Sequence, residues 1–357
     1  MRIYRAVPAV AGATLALLVL VAVAASRGPA DEWPGWRGLE GTGQTAEPSG
    51  WKAGAWPLAA PVWQADVGVG AASVAVAGGR LYTIGWREGR DTVVCLDTAA
   101  GREVWRQSYA APAYGRHHAG DESWYQGSLA TPTLDLGTGL LYTLGADGDL
   151  NCWDTTAGGQ RVWGLNLYDT FGAPQRPDTG GGVRDYGYTT APLVYRDWLL
   201  VVVGAPEGTL VAFDRRSGKR VWSSAHRGPA GHCGGLTVTR VGNIPCVVTL
   251  TLTELVVIRL DEGHVGQTLA TYPWQTAYGN NIASPAVQGD SVILTSDQNL
   301  NRTVRLRIAP GQVTQVWEST AYSGVCTPVV VGGYVYMASG ELMCLDLATG
   351  KLLWSGG

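Results

Sequence analysis

The run Asp346-Leu347-Ala348-Thr349-Gly350-Lys351-Leu352-Leu353-Trp354 decides the fold, because its frame Asp-x3-Gly-x3-Trp occurs three times. The other two copies are Asp97, Gly101, Trp105 and Asp214, Gly218, Trp222. Each follows an apolar, β-rich run. Asp is suited to start a turn because its side chain accepts from backbone N–H groups two residues on. Gly supplies the positive φ that a tight hairpin needs. Trp, on the strand that follows, is large enough to pack between neighbouring sheets and to bury about 150–250 Å². A repeat whose unit is a few strands and a turn means a toroidal or solenoid β architecture.

Looser copies fill the gaps. Asp154 leads through Gly159 to Trp163, Asp261 and Gly263 lead to Trp274, and Gly311 leads to Trp317. An isolated Trp63 precedes them all. The shortest distances between these tryptophans match a four-stranded propeller blade of about 40–45 residues, and the longer ones are a blade plus inserted loops. Thr131-Pro132, Ala191-Pro192, Ser284-Pro285 and Thr327-Pro328 open apolar runs. Proline is tolerated at the first residue of a strand, where no ladder N–H is needed. Each unit then reads as four antiparallel strands. The expected blade-docking residues are Trp63, Trp105, Trp163, Trp222, Trp274, Trp317 and Trp354.

The chain has 357 residues, 50 Gly, 15 Trp, 15 Tyr and 2 Phe, with 15% charged residues and a net charge of −3. No basic patch is present, which argues against nucleic acid as a partner. Residues 1–30 read differently. Arg2 and Arg5 precede an uncharged, mostly apolar run over 6–25 that ends in small residues. This is the pattern of a secretory signal peptide, and the run is also long enough to stay as a membrane tether. Either way the propeller is expected outside the cytoplasm, in the periplasm or cell envelope. Cys95, Cys152 and Cys344 share one slot in three units, so they are expected as buried thiols too far apart to pair. Cys233 with Cys246 is the one pair worth testing.

The Asp-x3-Gly-x3-Trp turns resemble the repeats of pyrroloquinoline quinone (PQQ)-type β-propellers. Trp33-Pro34-Gly35-Trp36-Arg37-Gly38 resembles the opening motif of exported PQQ-like repeat proteins abundant in planctomycetes. Phe171-Gly172-Ala173-Pro174 belongs to the same resemblance, which extends over about residues 33 to 357. The fold is similar to that of the outer-membrane β-barrel assembly lipoprotein of the same repeat class. The resemblance implies an all-β propeller, and such proteins usually have eight blades. Six full units follow Trp63 here. On that basis Trp63 is expected on the outer strand of a closing blade, and 61–357 is expected to be a C-terminally incomplete ring preceded by a lead-in over 31–60; the alternative is a six-bladed ring with a spare N-terminal strand.

Function is expected in the long inserts at 106–130, 164–189 and 223–234, which crowd one face. The candidate ligand-face residues are His117, His118, Trp124, Tyr125, Tyr186, Tyr188 and His232. His117, His118, Asp121 and Glu122 have metal-ligand chemistry, but adjacent histidines in extended chain point to opposite sides, so solvated loop polarity is the expectation. Quinoprotein dehydrogenases of this class stack their quinone against a vicinal disulfide and bind Ca²⁺ through Glu, Asn and Asp. No Cys-Cys pair exists in this sequence. The expected function is therefore a non-catalytic exported scaffold that binds an envelope protein or a small ligand, with no cofactor. PQQ with Ca²⁺ enters only under the alternative, a PQQ-dependent oxidoreductase.

Overall fold

The computed structural model describes residues 32–48, 61–121 and 124–356. The signal or tether segment, the stretch 49–60 and Glu122 lie outside these residues. Twenty-four strands form six four-stranded antiparallel sheets over 75–110, 133–166, 193–223, 237–273, 286–319 and 329–356, each in sequence order from inner to outer strand. These are the blades of a β-propeller.

The repeat explains each junction. In the first blade the Asp97 carboxylate accepts from Ala99 and Ala100 N–H, while Gly101 N–H closes on Asp97 O at 2.8 Å. Asp214 and Asp346 build the same turn. Trp105, Trp163, Trp222, Trp317 and Trp354 then stand opposite Cys95, Cys152, Ala212, Arg305 and Cys344, each beside a register shift. All but the Trp354 indole reach the next blade. Trp105 covers Gly159, Trp163 covers Gly218, and Trp317 covers Gly350. A Cβ on any of these glycines would come within about 2.6 Å of the ring. The indole N–H of Trp163 donates to Arg215 O and that of Trp317 to Leu347 O, in each case the carbonyl just after the repeat Asp.

Two expected members depart from the set. Trp63 covers Gly101 and donates to Thr98 O at 2.8 Å, as a preceding blade's Trp would. Yet residues 61–68 form no strand, since no described neighbour offers them a ladder. Trp274 lies beyond the end of its strand, Thr268–Pro273, and is buried in the core between the fourth and fifth blades. The register places Ala270, opposite Val257, in the docking slot. The turn glycine that a Trp there would cover, Gly311, accordingly has no neighbour within 4 Å of a Cβ position.

The hydroxyl before the opening proline also joins blades. Thr131 Oγ1 accepts from Ser73 N–H, Ser284 Oγ from Gly235 N–H, and Thr327 Oγ1 from Ser284 N–H. Five apolar clusters fill the five junctions from the first blade to the sixth. Among the described residues no such cluster joins the sixth blade to the first. Trp354 is accordingly 48% exposed, against 9% for Trp317.

The lead-in crosses the channel between the inner strands. Trp33 bridges Val76 of the first blade, and Pro34 O accepts from Leu134 N–H of the second. Trp36 packs on Gly234 and Gly235 ahead of the fourth. Arg37 donates to Thr42 O and to Pro328 O of the sixth, and Gln44 donates to Val330 O. All six cysteines are free, Cys233 and Cys246 included.

Candidate functional site

The inserts converge on one face because every outer strand ends there and must return to the channel. Ala119 bridges Asp185, tying the first insert to the second. Arg176 and Asp185 form a fully buried ion pair at 2.5 Å, and Arg176 Nε donates to Ala230 O in the third insert. Burial opposes the Asp185 charge, but the Arg176 guanidinium and the N–H groups of Arg176 and Gly187 hold its carboxyl below the usual range. One ion pair thus fixes three loops.

On that base stands a file of rings. Trp124 is 67% exposed and Tyr125 53% exposed, with centroids 6.4 Å apart. Tyr125 meets Tyr186 edge-on at 5.4 Å, and Tyr186 meets His232 edge-on at 4.8 Å. The file therefore runs from solvent to a buried imidazole. Tyr186 donates its hydroxyl to Asp121 at 2.6 Å. Burial and the Asp121 carboxylate push that hydroxyl's pKa up, so it stays a donor at neutral pH. Arg184 lies 3.4 Å from Asp121 and 4.9 Å over the Tyr278 ring.

His232 is neutral. Burial, reinforced by nearby Arg176, pushes its pKa down to about 3. Its Nδ1 is 3.1 Å from Gly279 O and so carries the proton. Its Nε2 is buried without a hydrogen-bond partner. Such an acceptor is costly to leave unmet. The backbone is strained nearby: Asp121, Tyr125 and Tyr278 hold φ of 50°, 58° and 60°. Non-glycine residues enter this region at a cost of order 1–3 kcal/mol, and such outliers gather at binding sites.

The structure thus brings Trp124, Tyr125, Tyr186 and His232 together, and separates the other candidates from them. His117 packs edge-on against Tyr168 at 4.9 Å, and His118 packs on Tyr114 at 4.5 Å. Tyr188 is core: it contacts Tyr168 and donates to Val203 O. Arg184 was legible as a residue of the second insert, whereas Tyr278 was not legible as a member. Tyr278 sits in a short segment after Trp274 that sequence length does not mark as an insert. Among the described residues no group of three or more His, Cys, Asp or Glu side chains is placed to hold a metal ion. The six cysteines are not adjacent in sequence, so they offer no vicinal disulfide of the kind the resemblance describes.

The sequence profile of a family described as outer membrane protein assembly factor BamB matches residues 59–123 and 116–356. The chain belongs to this family. No curated protein sequence matches it. Among solved structures, this BamB-type propeller is similar to BamB from Moraxella catarrhalis, with 17% identity over 82% of this chain and 84% of that one and a TM-score of 0.44. It is also similar to quinohemoprotein alcohol dehydrogenase from Comamonas testosteroni, with 14% identity over 79% of this chain and 58% of that one and a TM-score of 0.49. A europium-containing methanol dehydrogenase is similar over 79% of this chain and 77% of that one, at 14% identity and a TM-score of 0.39. These likenesses concern the fold. No described helix is long and apolar enough to cross a membrane.

Proposed function

We propose that this protein is an exported, non-catalytic propeller scaffold that binds a protein partner or small ligand of the cell envelope through its loop-bearing face. The observation that carries this reading is the ring file from exposed Trp124 to buried His232, held on strained backbone by the Arg176–Asp185 pair. A rigid aromatic anchor with charged groups beside it is the chemistry of binding hot spots. The family's name, an outer membrane protein assembly factor, supports a protein partner in the envelope. The apolar run over 6–25 behind Arg2 and Arg5 supports export.

The test pairs capture with turnover. Full-length protein is crosslinked to envelope fractions, and the specific band is compared with that from Trp124→Ala and Tyr125→Ala. The proposal expects the band to weaken at least about tenfold in the variants, as removal of a hot-spot ring does. In parallel the protein is titrated with PQQ and Ca²⁺ and assayed for dye-linked alcohol or sugar oxidation. Quinone binding with turnover would replace the scaffold reading by the oxidoreductase one.

A further inference from the structure

The inner strands line the channel edge-on, and each turns backbone groups inward. In a hairpin closed by two residues, the pair flanking the turn exchanges hydrogen bonds and the next pair does not. The residue of that next pair directs its N–H and C=O away from its partner. Val76, Val194, Val287 and Val330 occupy this position. Val238 has the same parity two residues further from its turn. Leu134 shows the same orientation through its bond to Pro34. The channel therefore offers six equivalent main-chain positions, one per blade.

The lead-in uses three of them. Trp33 exchanges both bonds with Val76, at 2.7 and 2.8 Å. Leu134 N–H donates to Pro34 O at 2.7 Å, and Val330 O accepts from Gln44 at 2.9 Å. Among the described residues no protein group meets the inward N–H or C=O of Val194 or Val238. Both residues border a cavity of about 310 Å³ between the lead-in and the second, third and fourth blades. Trp36, Leu136 and Tyr195 line it, and the exposed Leu39 and Glu40 stand at its mouth. The indole N–H of Trp36 is buried there without a partner.

We propose that this cavity is a docking site for a short, extended, apolar peptide segment carrying a basic residue, which adds main chain to main chain at Val194 as Trp33 does at Val76. The interface that the lead-in makes with Val76 and Leu134 continues around the channel to Val194, and the cavity begins where the lead-in leaves that wall. Main-chain bonds set the direction of an added strand, and side-chain pockets select its sequence. Leu39, Leu136 and Tyr195 suit apolar side chains, and Glu40 suits the basic one. The volume is at the lower end of ligand pockets, about 300–1,000 Å³, so the site takes a few residues and not a folded domain. This site lies in the channel, apart from the ring file on the loop face.

The probe is a fluorescein-labelled, capped heptapeptide of alternating Val and Arg, titrated into the full-length protein by anisotropy. Saturable binding is expected. Val194→Pro removes the inward N–H and none of the sheet's bonds, a change tolerated on a strand edge, and is expected to weaken binding about tenfold. Val194→Ala keeps the main-chain group and is expected to bind within about twofold. A peptide N-methylated at its central amide is expected to fail on the unaltered protein, which tests the same bond should Val194→Pro not fold. Glu40→Gln is expected to weaken binding and reduce its salt dependence. Non-saturable binding, or full binding of the N-methylated peptide, overturns the proposal. So does binding lost in Trp124→Ala and kept in Val194→Pro, which would place the peptide on the loop face.

Discussion

Single side chains behave differently according to what the next blade offers them. Trp317 and Trp354 occupy the same register position in their blades, yet only Trp317 has a turn glycine and a carbonyl to cover. Trp317→Ala is expected to cost about 3–5 kcal/mol. Trp354→Ala is expected to cost less than about 1 kcal/mol, since its ring is already half in water. Urea denaturation of both variants decides this. Asp91 makes a second case. It is buried, its Oδ1 has no hydrogen-bond partner, and Tyr109 donates to its Oδ2 at 3.1 Å. Burial above all, with Asp149 and Asp147 nearby, raises its pKa from 3.8 to about 6. The folded state therefore holds this proton more tightly than the unfolded chain, so this group's contribution to stability falls as pH rises from about 4 to 6 and stays lost above. Asp91→Asn keeps an acceptor for Tyr109. It is expected to flatten that decline and to raise stability at pH 8 by about 2–3 kcal/mol. The docking tryptophans were legible because Asp, Gly and Trp fix one another's register within nine residues. Trp274 was not, because its distance along the chain fits a blade while the register shift after Val257 puts Ala270 in the slot.

At the scale of elements, the lead-in does what no periodicity announces. Its Trp33-Pro34-Gly35-Trp36-Arg37-Gly38 was legible as a motif and not as a path, because an irregular segment carries no repeat from which a path can be read. Arg37 is its anchor: burial lowers its pKa to about 10, and two carbonyls, Thr42 O and Pro328 O, receive its guanidinium. Arg37→Ala is expected to cost about 1.5–3 kcal/mol, the range for hydrogen bonds from charged groups. It should also hasten proteolysis of the lead-in before any blade is cut, and limited digestion followed by mass spectrometry would show this. The inserts were legible by length, and their aromatic residues by type. Which of those residues meet was hidden, since His117 and His118 turn to separate tyrosines while Tyr186 and His232 meet from different inserts.

For the whole molecule, the six units and their strand order were legible from the repeat, and among the described residues no apolar cluster joins the sixth blade to the first. The sixth blade shows Tyr334, Leu342 and Trp354 to solvent on its far side. Contiguous apolar sheet surface of this kind favours association. Sedimentation velocity is expected to show self-association that rises with concentration, and Leu342→Lys is expected to reduce it without lowering the unfolding midpoint. The crossing of the channel also bears on how the chain folds. Arg37 and Pro328 are 291 residues apart, and closing so long a loop before the intervening blades exist has no compensating contact. The lead-in leaves the ribosome ahead of every blade and is therefore the last of these segments to be seated. Until the sixth blade has been made, the lead-in waits without its final partner, and a nascent chain stalled before Pro328 should leave the segment around Arg37 open to protease even where the early blades are already protected.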